Sequence, residues 1–369
     1  MKILFTRFPL ESAHGGAETQ TISLMKGLKQ RGHAVAFLGS CPTLLVLCQQ
    51  HQIPCASLDI GPPPVSKETI ISFFWRKKRM QQKLVSAFRE FCAHGLDTVI
   101  MLSISEKLLL TRSAAEAGIK VLWIEHDSIG PWLKHNPFLR KLRKQSQWAT
   151  TVCVSELSRK LYLDLGWDPK KVMSIPNGID PQRFSVEPPE KKPSDHPHIG
   201  CVARLSEEKG IDLLIKAMKD LPNTTLSIVG VGEQRDSLEK YISKYEMGFR
   251  TKIESRKGNL GAFYHSLDIL VLPSKRHDPF GLVAAEAMML GIPVIVTDVC
   301  GIAQQLTHGK DAMIVEAGSV EALKETISEL LIDENLRRSI AQAGQQKALS
   351  DFTMDSMIDR YEEVLLRKK

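Results

Sequence analysis

Two carboxylates eight residues apart, Asp278 and Glu286, mark the stretch KRHDPFGLVAAEAMMLGIPVIVTD at 275–298. From Phe280 to Leu290 the only charge is Glu286, and a charge inside an apolar helix needs a partner. The sequence predicts a helix that starts at Pro279, a favoured first position. Its first N–H groups are unpaired, carry partial positive charge and suit a phosphate, and Gly281 lets a ligand approach the backbone. Eight helical residues span about 12 Å, so the two carboxylates cannot share one proton or one metal ion. They could grip the two hydroxylated ends of a ligand whose anionic middle rests on the helix start. A nucleotide sugar, with its sugar, diphosphate and ribose, has that layout. The structural alternative is that Glu286 pairs with a buried base while Asp278 caps the helix.

Other residues of the same kind sit at predicted strand ends. In CVARLSEEKG (201–210), Arg204 and Lys209 are two cations just beyond a strand, a pattern suited to a pyrophosphate. Salt bridges to Glu207 and Glu208 in a solvated loop explain them as well. Gly15 and Gly16 in AHGGAETQ (13–20) open a helix, either to admit a ligand or to make a tight turn. In VLWIEHDSIG (121–130), His126 lies between Glu125 and Asp127 at the end of a buried strand, placed to exchange a proton or a hydrogen bond. A second His is absent nearby, which argues against a metal. Gly230 and Gly232 in IVGVGEQRD (228–236) make a partial dinucleotide fingerprint in which Arg235 stands where the third glycine belongs. A nicotinamide-dependent enzyme is excluded on that ground, because the complete motif and its acidic partner are missing.

The elements that must position these residues are short apolar runs alternating with helical patterns. A chain of 369 residues is long for one core and predicts two domains. The runs lack in/out alternation, as in strands buried on both faces of parallel sheets. They occupy residues 1–179, pause at a proline-rich, charged segment over 180–197 that is predicted to be a linker, and resume over 198–351. The expected fold class is α/β: two tandem Rossmann-like, doubly wound parallel-sheet domains facing a cleft, with a last helix at about 352–369 packing back on the first domain. With 43% hydrophobic and 25% charged residues, the composition is that of an ordinary globular protein. Seven scattered cysteines without a CxxC pair argue against a disulfide framework and point to the cytoplasm. The net charge of +7 favours phosphate-bearing partners.

The ordered set of motifs resembles the retaining glycosyltransferases of family 4, which have the GT-B fold. The motifs are GGAE at 15–18, EHD at 125–127, IPNGID at 175–180, ARLSEEKG at 203–210, VGVGEQR at 229–235 and PSKRHDPFGLVAAEAMMLGIPVI at 273–295. The resemblance covers nearly the whole chain. It implies that Arg204 and Lys209 hold the donor diphosphate, Glu286 the ribose hydroxyls, and the backbone of Phe280, Gly281 and Leu282 the sugar or phosphate. It implies that Gly15 and Gly16 approach the diphosphate from the N-terminal domain, and that His126 and Asp278 act at the donor sugar. It further implies transfer with retention, in which the leaving phosphate helps deprotonate the acceptor, and no metal or other cofactor. One position departs from the pattern: Asp278 replaces the family's Glu and shortens its reach by roughly 1.5 Å.

Two stretches, 69–88 and 132–148, mix aromatic residues with cations and suit an interfacial helix on anionic lipid, or equally a helix with a solvated basic face. The expected partners are a UDP- or GDP-hexose donor and a lipid-linked or envelope-polysaccharide acceptor, at the inner membrane face, without nucleic acid. The alternative of a different class is a non-catalytic sugar-binding or partner subunit of the same fold.

Overall fold

Valine, isoleucine and leucine dominate most of the predicted strands, and in the computed structural model the inner runs are buried on both faces of two parallel sheets, while the edge strands Cys55–Ser57 and Thr251–Glu254 are largely exposed. The structure describes residues 1–9, 15–126, 131–184, 196–255 and 260–367. The chain falls into two units, one of Met1–Ile175 with Met357–Lys369 and one of Pro176–Ser356.

The first unit holds β1 (Lys2–Arg7), β2 (Ala34–Gly39), β3 (Cys55–Ser57), β4 (Thr98–Met101), β5 (Lys120–Glu125), β6 (Thr150–Cys153) and β7 (Val172–Ser174), in the order β3-β2-β1-β4-β5-β6-β7. The second holds β8 (His198–Val202), β9 (Thr225–Val229), β10 (Thr251–Glu254), β11 (Ile269–Leu272), β12 (Val294–Thr297) and β13 (Met313–Val315), in the order β10-β9-β8-β11-β12-β13. Every strand pair in both sheets is parallel. The order reverses direction between β1 and β4 and between β8 and β11. Open α/β sheets bind ligands at the carboxyl ends of strands beside such reversals. Arg204 and Lys209 follow β8, Asp278 follows β11, and His126 follows β5, one strand from the first reversal.

The last helix, Met354–Leu366, seals the first unit. Ile358 fills the notch left by Gly27, where any Cβ would overlap it. Arg31 Nη1 pairs with Glu362 Oε2 at 2.8 Å, and Lys120 Nζ donates to the Leu365 and Arg367 carbonyls at 3.0 and 2.7 Å. In the predicted linker, Phe184 is buried edge-on against Tyr264, while 185–195 lie outside the described residues. All seven cysteines are free. Among the described residues no helix is long and apolar enough to cross a membrane.

Candidate active site

In the second unit, the chain leaving β11 does not enter a helix at Pro279 as its sequence suggests. Asp278 forms an isolated parallel bridge with Cys300: its N–H donates to the Val299 carbonyl at 3.0 Å, and its carbonyl accepts from Gly301 N at 2.8 Å. That extended segment delays the helix to Leu282–Met289. Gly281 makes the turn at φ 95°, a left-handed conformation costly for other residues, and a Cβ there would press on Ile302 Cγ2 at 3.1 Å. No side chain caps this helix, so Asp278 is not its cap, and the N–H groups of Leu282 and Val283 precede the first turn bond, Ala284 N to Gly281 O. The Phe280 ring is core, edge-on to Phe352 at 5.7 Å, and its carbonyl accepts from Ile302 N at 2.6 Å.

Glu286 is 7% exposed, and its Oε2 accepts a hydrogen bond from the Tyr264 hydroxyl at 2.5 Å. A phenol donor therefore supports this carboxylate. Lys209 Nζ donates to Asp278 Oδ2 at 2.6 Å, and Ser274 Oγ lies 3.4 Å from the same oxygen. Burial pulls the Lys209 ammonium down, but the Asp278 carboxylate outweighs it and leaves the pKa raised. Arg204 is exposed and makes no salt bridge with the described residues. The loop carrying both cations is fixed by close backbone packing. A Cβ on Gly210 (φ 64°) would overlap the Pro273 carbonyl, and Cβ atoms on Gly230 and Gly232 would overlap the carbonyls of Ala203 and Leu205. Those last two glycines thus serve the 203–205 loop by contact, while Gln234 N and Leu205 N bond across it.

In the first unit, Gly15 is the uncapped N-cap of the helix Gly16–Gln30, with Gly16 its exposed first residue. Part of His126 reaches the surface, but both ring nitrogens are buried with no hydrogen-bond partner among the described residues. Burial, then the neighbouring Arg7 and Lys107 cations, lower its pKa to about 3, so the imidazole is neutral. Arg7 Nη2 pairs with Glu18 Oε1 at 2.7 Å, and Lys107 Nζ with Glu125 Oε1 at 2.9 Å. Glu106 accepts from Leu102 N and Ser103 N at 3.1 and 2.6 Å, and burial pushes its carboxyl up to about 7. Asp127 lies outside the described residues. Arg7, Glu18, Lys107, Glu106 and Tyr264 were not singled out from the sequence. The S-x-x-E capping box at 103–106 and a lone Arg ending a buried strand were the available signals. Among the described residues no group of three or more His, Cys, Asp or Glu side chains is arranged to hold a metal ion.

The basic stretches divide. In the helix Lys67–Ala93, Phe73 is buried edge-on against Phe138 at 5.1 Å, while Ile71, Phe74 and Trp75 are exposed, Trp75 at 82%. In 132–148 the apolar residues Leu133, Phe138 and Leu142 belong to the core, and the side chain of Trp132 lies outside the described residues.

Residues 14–183 match the family described as Glycosyltransferase Family 4, and residues 183–347 that described as Glycosyl transferases group 1. The lipopolysaccharide core biosynthesis glycosyltransferase LpsE of Rhizobium meliloti is 28% identical over 207 residues, 56% of this chain and 60% of that protein. The GDP-mannose-dependent alpha-(1-6)-phosphatidylinositol monomannoside mannosyltransferase of Mycolicibacterium smegmatis is 25% identical over 74% of this chain and 77% of its own. The first of these matches thus spans about three fifths of the relative's length. Among solved structures, Anabaena HepE in complex with UDP superimposes with a TM-score of 0.84 at 22% identity, over 99% of both chains. That likeness establishes the two-domain parallel-sheet architecture of the GT-B fold.

Proposed function

From the premise that the chain belongs to the family 4, group 1 glycosyltransferases, we propose that it moves a hexose from a UDP- or GDP-sugar to a lipid-linked or envelope-polysaccharide acceptor. The observation that supports this most is the convergence, at the β8/β11 reversal, of exposed Arg204, the Lys209–Asp278 pair and a helix start without a side-chain cap. A departing diphosphate needs positive charge, and the guanidinium, the ammonium and the helix start are groups that can supply it. Glu286, held by Tyr264, is the acceptor for ribose hydroxyls. The ring nitrogens of His126, without a partner among the described residues, offer a neutral imidazole to a sugar hydroxyl. That HepE was solved with UDP and with UDP-glucose supports a uridine donor as the first to test.

Calorimetric binding and donor hydrolysis across UDP- and GDP-hexoses test the proposal. Binding of at least one donor, weakened by Glu286→Ala, is the expected result; absence of binding across the panel would refute it.

The exposed Ile71, Phe74 and Trp75, among the cations Arg76, Lys77, Lys78 and Arg79, support attachment to an anionic bilayer from the first unit. Co-sedimentation with phosphatidylglycerol vesicles at low salt should carry the protein down and should fall in Trp75→Ala. No sedimentation by the wild type would exclude the attachment.

A further inference from the structure

We infer that Asp278 is a positioning residue for Lys209, and acts on the donor's diphosphate through that ammonium rather than by gripping the sugar. The inference rests on the proposed nucleotide-sugar site and assigns a different task to one of its carboxylates.

Three observations carry it. First, the backbone at 278 cannot shift to present the carboxylate elsewhere, because it is bonded on both sides to 299–301. The reach of the carboxylate is therefore set by side-chain length. Second, at that length Oδ2 lies 2.6 Å from Lys209 Nζ, a charge-assisted hydrogen bond between side chains only 11% and 23% exposed. A Glu would carry its carboxylate roughly one methylene, about 1.5 Å, further from this anchored backbone. The Asp matches the place Lys209 occupies. Third, Lys209 has a fixed root: Gly210 is pressed against the Pro273 carbonyl, and Lys275 N bonds the Glu208 carbonyl at 2.8 Å. With its root and its head both held, the ammonium keeps its remaining N–H donors aimed in one direction. Arg204 is exposed, makes no salt bridge with the described residues, and meets the Glu208 carboxylate only through a longer-range attraction. The division of labour is then an exposed guanidinium for charge and a directed ammonium for placement.

Without Asp278, the half-buried ammonium loses its anionic partner and is drawn toward water, so its directed bond to a phosphate is lost. Losing one hydrogen bond to a charged group corresponds to an affinity drop of about tenfold.

The test is a double-mutant cycle on binding, with UDP and GDP as the sugar-free probes and UDP-glucose and GDP-mannose as their sugar-bearing counterparts. In Asp278→Asn, the nucleoside diphosphate that the wild type binds should weaken about tenfold, and its sugar-bearing counterpart by the same factor. In a Lys209→Met background, adding Asp278→Asn should change either affinity by less than about twofold. Urea unfolding of each variant monitors the fold. Should Asp278→Asn alone be poorly folded, comparing Lys209→Met with the double variant still decides, because the double variant leaves no unpaired charge. Weakening confined to the sugar-bearing ligand, or a full effect of Asp278→Asn in the Lys209→Met background, overturns the inference while leaving the proposed function intact. A wild type that binds none of the four probes overturns both.

Discussion

Replacing Arg7 by Met tests whether the first unit is organised around its buried ion pair. Arg7 and Glu18 side chains are 8% and 6% exposed and meet at 2.7 Å, joining the end of β1 to the first turn of the helix Gly16–Gln30. Met keeps much of the aliphatic volume but strands the Glu18 carboxylate in a site that water does not reach. Removing one partner of a buried pair costs about 3–5 kcal/mol. For an m-value of about 2 kcal/mol/M, the urea midpoint of this unit should fall by about 2 M. The assay is selective, because all five tryptophans, Trp75, Trp123, Trp132, Trp148 and Trp167, lie in the first unit. Fluorescence excited selectively at tryptophan therefore reports on that unit, since Tyr241, Tyr245 and Tyr264 of the second unit are not excited. Arg7→Met/Glu18→Leu removes both charges and should be more stable than Arg7→Met, since no charge is left without a partner. A single variant within about 1 kcal/mol of wild type, or a double variant less stable than the single, would refute the reasoning.

Acidification should destabilise the first unit through His126. Below about pH 6.5 the unfolded chain takes up a proton that the folded imidazole, with its pKa held at about 3 by burial, Arg7 and Lys107, refuses. Stability from this group is complete above that pH and falls by up to about 1.4 kcal/mol per unit as pH drops toward 3. His126→Asn should flatten the slope between pH 4.5 and 6.5 in urea titrations read by fluorescence, and an unchanged slope would exclude the assignment. Tyr264→Phe deletes the hydroxyl that donates to Glu286 and should lower the stability of the second unit by about 1.5–3 kcal/mol, measured by calorimetric unfolding. Gly281→Ala places a Cβ at φ 95° against Ile302 and should cost about 1–3 kcal/mol while weakening nucleotide binding, with calorimetry reporting both.

The candidate site was legible in its chemistry and illegible in its pairings. Arg204, Lys209, Asp278 and Glu286 were each found at a strand end or in an apolar helix because composition and periodicity are local properties. Their partners were not found so readily. Lys209 and Asp278 are 69 residues apart in sequence, and Tyr264 is 22 from Glu286. Gly230 and Gly232 looked like half of a nucleotide fingerprint, yet the adjacent 203–205 backbone accounts for them. The helix start at Pro279 was displaced to Leu282 by a bridge to Cys300, a contact that local propensity does not register.

The sequence by itself determined two runs of buried parallel strands alternating with helices, because a strand covered on both faces must be apolar throughout, wherever it lies in the sheet. It also determined which charges sit at strand ends. Only the tertiary structure decided which strands are neighbours, and therefore that Asp278 reaches Lys209, that Tyr264 supports Glu286, and that Arg7 and Lys107 flank His126. A buried charge is tolerated by whatever group the fold brings within hydrogen-bond distance, and that distance is set by strand order and backbone bridges rather than by separation along the chain.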